Sequence, residues 1–257
     1  MKSFEGDFYK LAGLLKKREP FAFNRFSDGE LCILRNREII VDAQQVKWGE
    51  KATKGLYKEE DFKRFDPKEH SFHRDRLVDA FKFRAKNYFK GLSCRCCVGE
   101  EDFRWQLEFH GEDDGNLTWA NLLVNGNYPQ FIREMYPLFN GYKTVVVCND
   151  KASLSMFPFV IKDFRVGYNA MVNDYGLIER MRQWIVENNI EGHLFLFSAS
   201  SFSKLAIHQL YEHCGNNTYI DIGTTLNPFM NMRLDRGYLK SFWLGAKNAD
   251  INKICIW

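Results

Sequence analysis

Four short apolar runs, each ending in a polar turn, mark out the chain: FAFNRF (21–26), TVVVCND (144–150), HLFLFSAS (193–200) and TYIDIG (218–223). The middle two are almost continuously apolar, the pattern of strands covered on both faces. Around them the apolar positions recur at helical spacing. Phe4, Phe8, Leu11, Leu14 and Leu15 predict an amphipathic first helix. Leu177, Ile178, Met181, Trp184 and Ile185 predict a second, and Phe202, Leu205, Ala206, Gln209 and Leu210 a third. Strand alternating with helix predicts an α/β fold, a Rossmann-like, mostly parallel sheet flanked by helices and joined by right-handed crossovers. Ligands of such sheets bind beyond the carboxyl ends of the strands. A site is therefore expected at the turns SDGE, CNDK, SASSFSK and DIGTT.

The segment 42–115 departs from this rhythm. It is more charged, with KEEDFKRFDPKEHSFHRDR followed by a predicted helix through LVDAFKFRAKNYF. It reads as an insertion or lid within one domain, 1–257, because no Gly/Ser-rich linker sets it apart. A chain of 257 residues, 45% hydrophobic, suffices for one buried core.

Composition excludes several classes. No uncharged apolar run approaches the roughly 20 residues that cross a bilayer, and the first helix is too charged for a signal peptide. Seven cysteines without framework spacing, in a chain lacking an export signal, imply reduced thiols and a cytoplasmic setting, the host cytoplasm if the source is viral. The sequons at Asn116 and Asn216 are then accidental. CRCC (94–97) invites a zinc reading, but structural zinc sites usually pair C-x-x-C with a second matched pair, and none is present, so zinc is not expected. A net charge of +3 permits a polyanionic partner without requiring one. Neither the dinucleotide fingerprint G-x-G-x-x-G nor the P-loop appears.

The turn SDGE supports two readings that share Glu30. Ser27 as N-cap and Glu30 three residues later form a helix capping box, which contributes about 1 kcal/mol. Asp28 and Glu30, a D-x-E pair across a glycine, can instead hold Mg²⁺ or Mn²⁺ through hard carboxylate oxygens. In SASSFSK, small residues let a ligand approach the backbone. The next helix presents free amides and Lys204 adds charge, making Ser198, Ser200, Ser201 and Lys204 a candidate diphosphate or ribose cradle; N-capping by a serine explains the same residues. Asn149 and Asp150 follow one apolar strand and Asp221 lies in another, each suited to a ligand contact or to a structural role. HGEDDGN offers Glu112, Asp113 and Asp114 as a base against an acceptor hydroxyl, or as a solvated turn.

RFSDGEL at a strand-to-helix turn resembles the R-F-[GS]-D-G-E signature of the GT-D glycosyltransferases, a family with its own Rossmann-like fold. CRCCVGEED, LTWANLLVNGNYPQF, LFLFSASSFSK, NNTYIDIGTTLNPFM and RGYL follow in similar order over about residues 20–240. The resemblance implies a nucleotide-sugar donor, a UDP-sugar by preference, whose diphosphate is bridged by Mn²⁺ or Mg²⁺ on Asp28 and Glu30. It makes Arg25 a donor or phosphate contact. A cation and a guanidinium suit that chemistry, since both stabilise the charge that develops on the departing diphosphate.

For the acceptor, FKFRAKNYFKGLSCR interleaves Lys82, Arg84, Lys86, Lys90 and Arg95 with Phe81, Phe83, Tyr88 and Phe89. Such a stretch grips a phosphate backbone and stacks bases, or is an amphipathic helix with its aromatics inside. The acceptor is accordingly a glycan or glycoconjugate hydroxyl, or a hydroxymethylated base in viral DNA. The competing class is a non-catalytic nucleic-acid-binding protein in which SDGE is only a cap. A metal-dependent nuclease lacks a signature here.

Overall fold

A computed structural model of the chain describes residues 3–54, 59, 62–111, 115–247, 252 and 255. It begins with helix α1 (Phe4–Lys17), whose N-cap Ser3 accepts from the Gly6 amide at 3.0 Å and which buries Phe4, Phe8, Leu11 and Leu15. Strand β1 (Ala22–Phe26) runs directly into α2 (Asp28–Leu34). Next come β2 (Ile39–Val41), β3 (Gln45–Trp48), β4 (Lys51–Lys54) and β5 (Lys63–Phe65), then α3 (Ser71–Lys82) and β6 (Tyr88–Leu92). Two helices, α4 (Arg95–Val98) and α5 (Glu100–His110), lead to β7 (Leu117–Trp119), and a run of short turns that includes α6 (Tyr128–Gln130) leads to β8 (Thr144–Asn149). The remainder is β9 (Val160–Val166), α7 (Ala170–Asn173), α8 (Leu177–Glu187), β10 (Leu194–Ser198), α9 (Phe202–His213), β11 (Thr218–Asp221) and α10 (Gly237–Leu244).

Seven strands form one sheet in the order β7-β6-β1-β11-β10-β8-β9, and every pairing in it is parallel. The four apolar runs of the sequence are four neighbouring strands of this sheet, β1, β11, β10 and β8. Their side chains alternate between two cores. Phe26, Val147, Phe197 and Tyr219 join α2, α3, α8 and α9 on one face. Phe23, Val146, Leu196 and Ile220 join α1 and α10 on the other. Burial on both faces is why these strands read as unbroken apolar runs.

The segment 42–115 divides. Its first part completes a small antiparallel sheet, β4-β3-β2-β5, beside α2. Its later part returns to the main sheet, where β6 pairs with β1.

The helix expected through LVDAFKFRAKNYF stops early. α3 ends at Lys82, Phe83 is extended (φ −58°, ψ 136°), and Asn87 takes a left-handed turn (φ 62°) into β6. Phe81, Tyr88 and Phe89 are core residues, and Lys90 is fully buried with its Nζ donating to the Phe83 carbonyl at 2.6 Å. Those aromatics therefore offer no surface on which bases can stack.

Candidate functional site

β1 carries Asn24 and Arg25 within an otherwise apolar strand, and both are buried. Asn24 Nδ2 donates to the Tyr88 hydroxyl at 2.8 Å and to the Lys204 carbonyl at 2.9 Å, tying β1 to β6 and to the first turn of α9. Arg25 Nε donates to the Ala120 carbonyl. Its guanidinium lies over Gly223, where a Cβ would sit 2.4 Å from Nη1; with φ at 52°, the position takes glycine for space and conformation alike.

The chain then turns at Ser27 into α2. The Glu30 arm of the capping box forms, with the Ser27 amide donating to Glu30 Oε2 at 3.0 Å. The other carboxylate oxygen, Oε1, accepts from the Ser201 hydroxyl at 2.6 Å. Ser201 opens α9, yet its hydroxyl crosses to Glu30 instead of capping its own helix. Asp28 differs from its neighbour: it is exposed, and Oδ1 accepts only the adjacent Gly29 amide, at 2.9 Å.

Lys204 stands between two carboxylates. Its Nζ donates to Asp221 Oδ2 at 2.6 Å and to the Ser200 carbonyl at 3.2 Å, and lies 3.9 Å from Glu30 Oε1. All three charged groups are buried. Asp221 Oδ1 also accepts from the Gly223 amide at 3.0 Å, so β11, α9 and α2 meet at one polar knot. Lys63, from β5 of the small sheet, reaches the same place with Nζ 3.5 Å from Ser201 Oγ. Burial pushes the Glu30 carboxyl up, but the Lys204 and Lys63 ammoniums, the Ser201 hydroxyl and the Ser27 amide outweigh it and hold the pKa at about 2. Burial lowers the Lys63 ammonium, a shift Glu30 partly opposes.

These groups form one wall of a cleft of about 1110 Å³ at the carboxyl ends of β1, β8, β10 and β11. Arg25, Asp28, Glu30, Asn149, Ser198, Ser200, Ser201, Lys204 and Asp221, all singled out in the sequence, line it. Asp150 does not: it is exposed after β8, outside the lining. Asp114, with Glu112 and Asp113, lies outside the described residues. Ser198 Oγ donates to the Gly223 carbonyl at 2.7 Å, and Ser200 holds a left-handed conformation, φ 51°. Asn149 Oδ1 accepts from the Lys151 amide at 2.9 Å.

Several lining residues were not expected. Trp48 and Lys63 come from the small sheet, Asn121 from the turn after β7, and Arg233 and Arg236 from the approach to α10. LTWANLLVNGNYPQF and RGYL contain Asn121 and Arg236, but neither stretch indicated that these side chains face the same cleft as Asp28.

The donor set admits a divalent cation through one carboxylate. Both oxygens of Glu30 are hydrogen-bonded and a lysine ammonium is close by, whereas Asp28 opens to the cleft. Mg²⁺ is commonly held by one or two carboxylates together with substrate phosphates and water, so Asp28 fits that role and Glu30 fits it less well.

No protein-family model matches the sequence, and no curated protein matches it. Solved structures do resemble it. One, described as showing that the highly conserved domain of unknown function 1792 has a distinct glycosyltransferase fold, superposes with a TM-score of 0.57 at 12% identity, covering 93% of this chain and 81% of that one. Another, described as a new glycosyltransferase of the same domain type from Streptococcus sanguinis, gives 0.57 at 14% identity, covering 93% and 84%. At such identities the likeness is one of fold. No helix among the described residues is long and apolar enough to cross a membrane.

Proposed function

We propose that the protein is a glycosyltransferase that binds a nucleotide-sugar, a UDP-sugar by preference, in the cleft at the carboxyl ends of the sheet and transfers the sugar to an acceptor hydroxyl. The observation that carries this reading is the convergence of Arg25, Asp28 and the first turn of α9 on one cleft, in a chain whose fold is shared with glycosyltransferase structures. Arg25, Lys63 and Arg236 bring positive charge to where a diphosphate would lie. Asp28 is the residue that would hold Mn²⁺ or Mg²⁺. Such a cation supplies charge neutralisation for the leaving group.

Glu30 and Asp221 act as positioning residues in this reading. Each is buried and bonded to its neighbours, fixing Lys204, Ser201 and hence the α9 turn that faces the donor. The favoured acceptor is a glycan or glycoconjugate hydroxyl. A DNA acceptor and the nucleic-acid-binding alternative both drew support from the 81–95 segment, whose aromatics are largely core.

The test is calorimetric titration of UDP- and GDP-sugars with and without Mn²⁺, on the wild type, Ser27→Ala and Asp28→Ala. Metal-dependent binding that survives Ser27→Ala and is lost in Asp28→Ala supports the assignment. Absence of donor binding under all conditions rejects it.

A further inference from the structure

CRCC has a fourth partner that the spacing of the sequence does not reveal. Cys94 caps α4, and the Cys97 amide donates back to the Cys94 carbonyl at 2.9 Å, closing a single turn. That turn gathers three thiols: Cys94 Sγ lies 2.9 Å from Cys96 Sγ and 3.3 Å from Cys97 Sγ. Cys255, near the opposite end of the chain, is buried against them, and the four sulfurs all lie within 4.8 Å of one another. Asn121 Nδ2 points at the group, donating to Cys97 Sγ at 3.1 Å and lying 3.6 Å from Cys255 Sγ. No disulfide joins any of the seven cysteines, all of which are among the described residues.

We propose that Cys94, Cys96, Cys97 and Cys255 bind one structural Zn²⁺. Tetrahedral zinc with Zn–S bonds near 2.3 Å sets its sulfurs about 3.8 Å apart, inside the spread seen here, so small side-chain rotations complete the cage. Four soft thiolates in a tetrahedron select zinc or iron–sulfur chemistry. A cage this tight suits a single ion, because a multi-iron cluster spreads its cysteines wider. On coordination the four thiols release their protons to solvent, leaving a dianionic centre that the Asn121 amide stabilises by N–H···S bonding. A disulfide would use two of the sulfurs and leave the convergence of the other two unexplained. The fourth sulfur belongs to a single distant cysteine, not to a second matched pair, and it arrives only through the fold. Cys97 and Asn121 also line the cleft, so the zinc would fasten Cys255 beside its rim.

The test is the metal content of the full chain, purified without chelator and measured by plasma mass spectrometry, followed by Co²⁺ replacement. About one zinc per chain is expected, with thiolate-to-cobalt charge transfer and the strong visible bands of a tetrahedral site. Cys96→Ser and Cys255→Ser should lose the metal, and Asn121→Ala should weaken binding about 10- to 100-fold. Cys214→Ser, remote from the cluster, and Asp28→Ala should both retain it, which separates this site from the proposed donor site. Iron in place of zinc would overturn the proposal, as would a metal-free wild type whose intact mass shows a disulfide. Should the serine variants fail to fold, zinc content and the cobalt spectrum of the wild type decide alone.

Discussion

Lys204 is a buried cation between two buried carboxylates, and its removal would take the ammonium that Asp221 accepts from and leave Glu30 with Lys63, Ser201 and Ser27. Lys204→Met is expected to cost about 3–5 kcal/mol in chemical denaturation, the range for breaking a buried pair from one side. Glu30 yields a pH signature. Its carboxyl titrates near 2 in the folded protein against about 4.5 when unfolded, so between those values the unfolded chain binds more protons. The stabilisation is complete above about pH 4.5 and is lost as pH falls towards 2, on the order of 3 kcal/mol in all. Glu30→Gln should flatten this part of the stability profile, and an unchanged acid limb in the variant would contradict the assignment. At this scale the sequence revealed which residues carry charge near the strand ends, because they sit in turns directly after apolar runs. It did not reveal their pairings: Glu30 served the capping box and an ion network together, and Lys63 reached them only through the small sheet.

The strand–turn–helix from β10 to α9 places a non-glycine residue, Ser200, at φ 51°. Left-handed conformations cost an L-residue roughly 1–2 kcal/mol, part of which glycine returns as chain entropy. Ser200→Gly should therefore stabilise the protein by about 0.5–1 kcal/mol, read as a higher denaturation midpoint. A lower midpoint would mean that the serine side chain secures the turn. Elements were legible in proportion to their burial. β1, β8, β10 and β11 are central or flanked on both sides, and their apolar runs announce them. β6 did not stand out because YFKGL carries Lys90 and Gly91 and follows a helix without a sequence break until Asn87. β9, with Lys162, Asp163 and Arg165 in an edge strand, lacks the unbroken apolar run, and β7 has only three residues.

For the molecule as a whole, a ligand that binds only the native state adds stability by mass action, about 2.7 kcal/mol at a hundredfold excess over Kd. Thermal unfolding with a UDP-sugar and Mn²⁺ should thus shift upward in the wild type, and the shift should vanish in Asp28→Ala. A shift of equal size in both would reject Asp28 as a ligand contact.

The pairing of β1 with β11 also has a consequence for biosynthesis. Ala22 lies beside Tyr219, so one side of the first strand waits for a partner made roughly 200 residues later. At about 5–20 residues per second, that delay lasts on the order of 10–40 s. Through that interval β1 presents an unpaired edge and two apolar faces, and the polar knot around Lys204 is incomplete. The nascent chain therefore stays exposed to mispairing at this edge until β11 itself emerges.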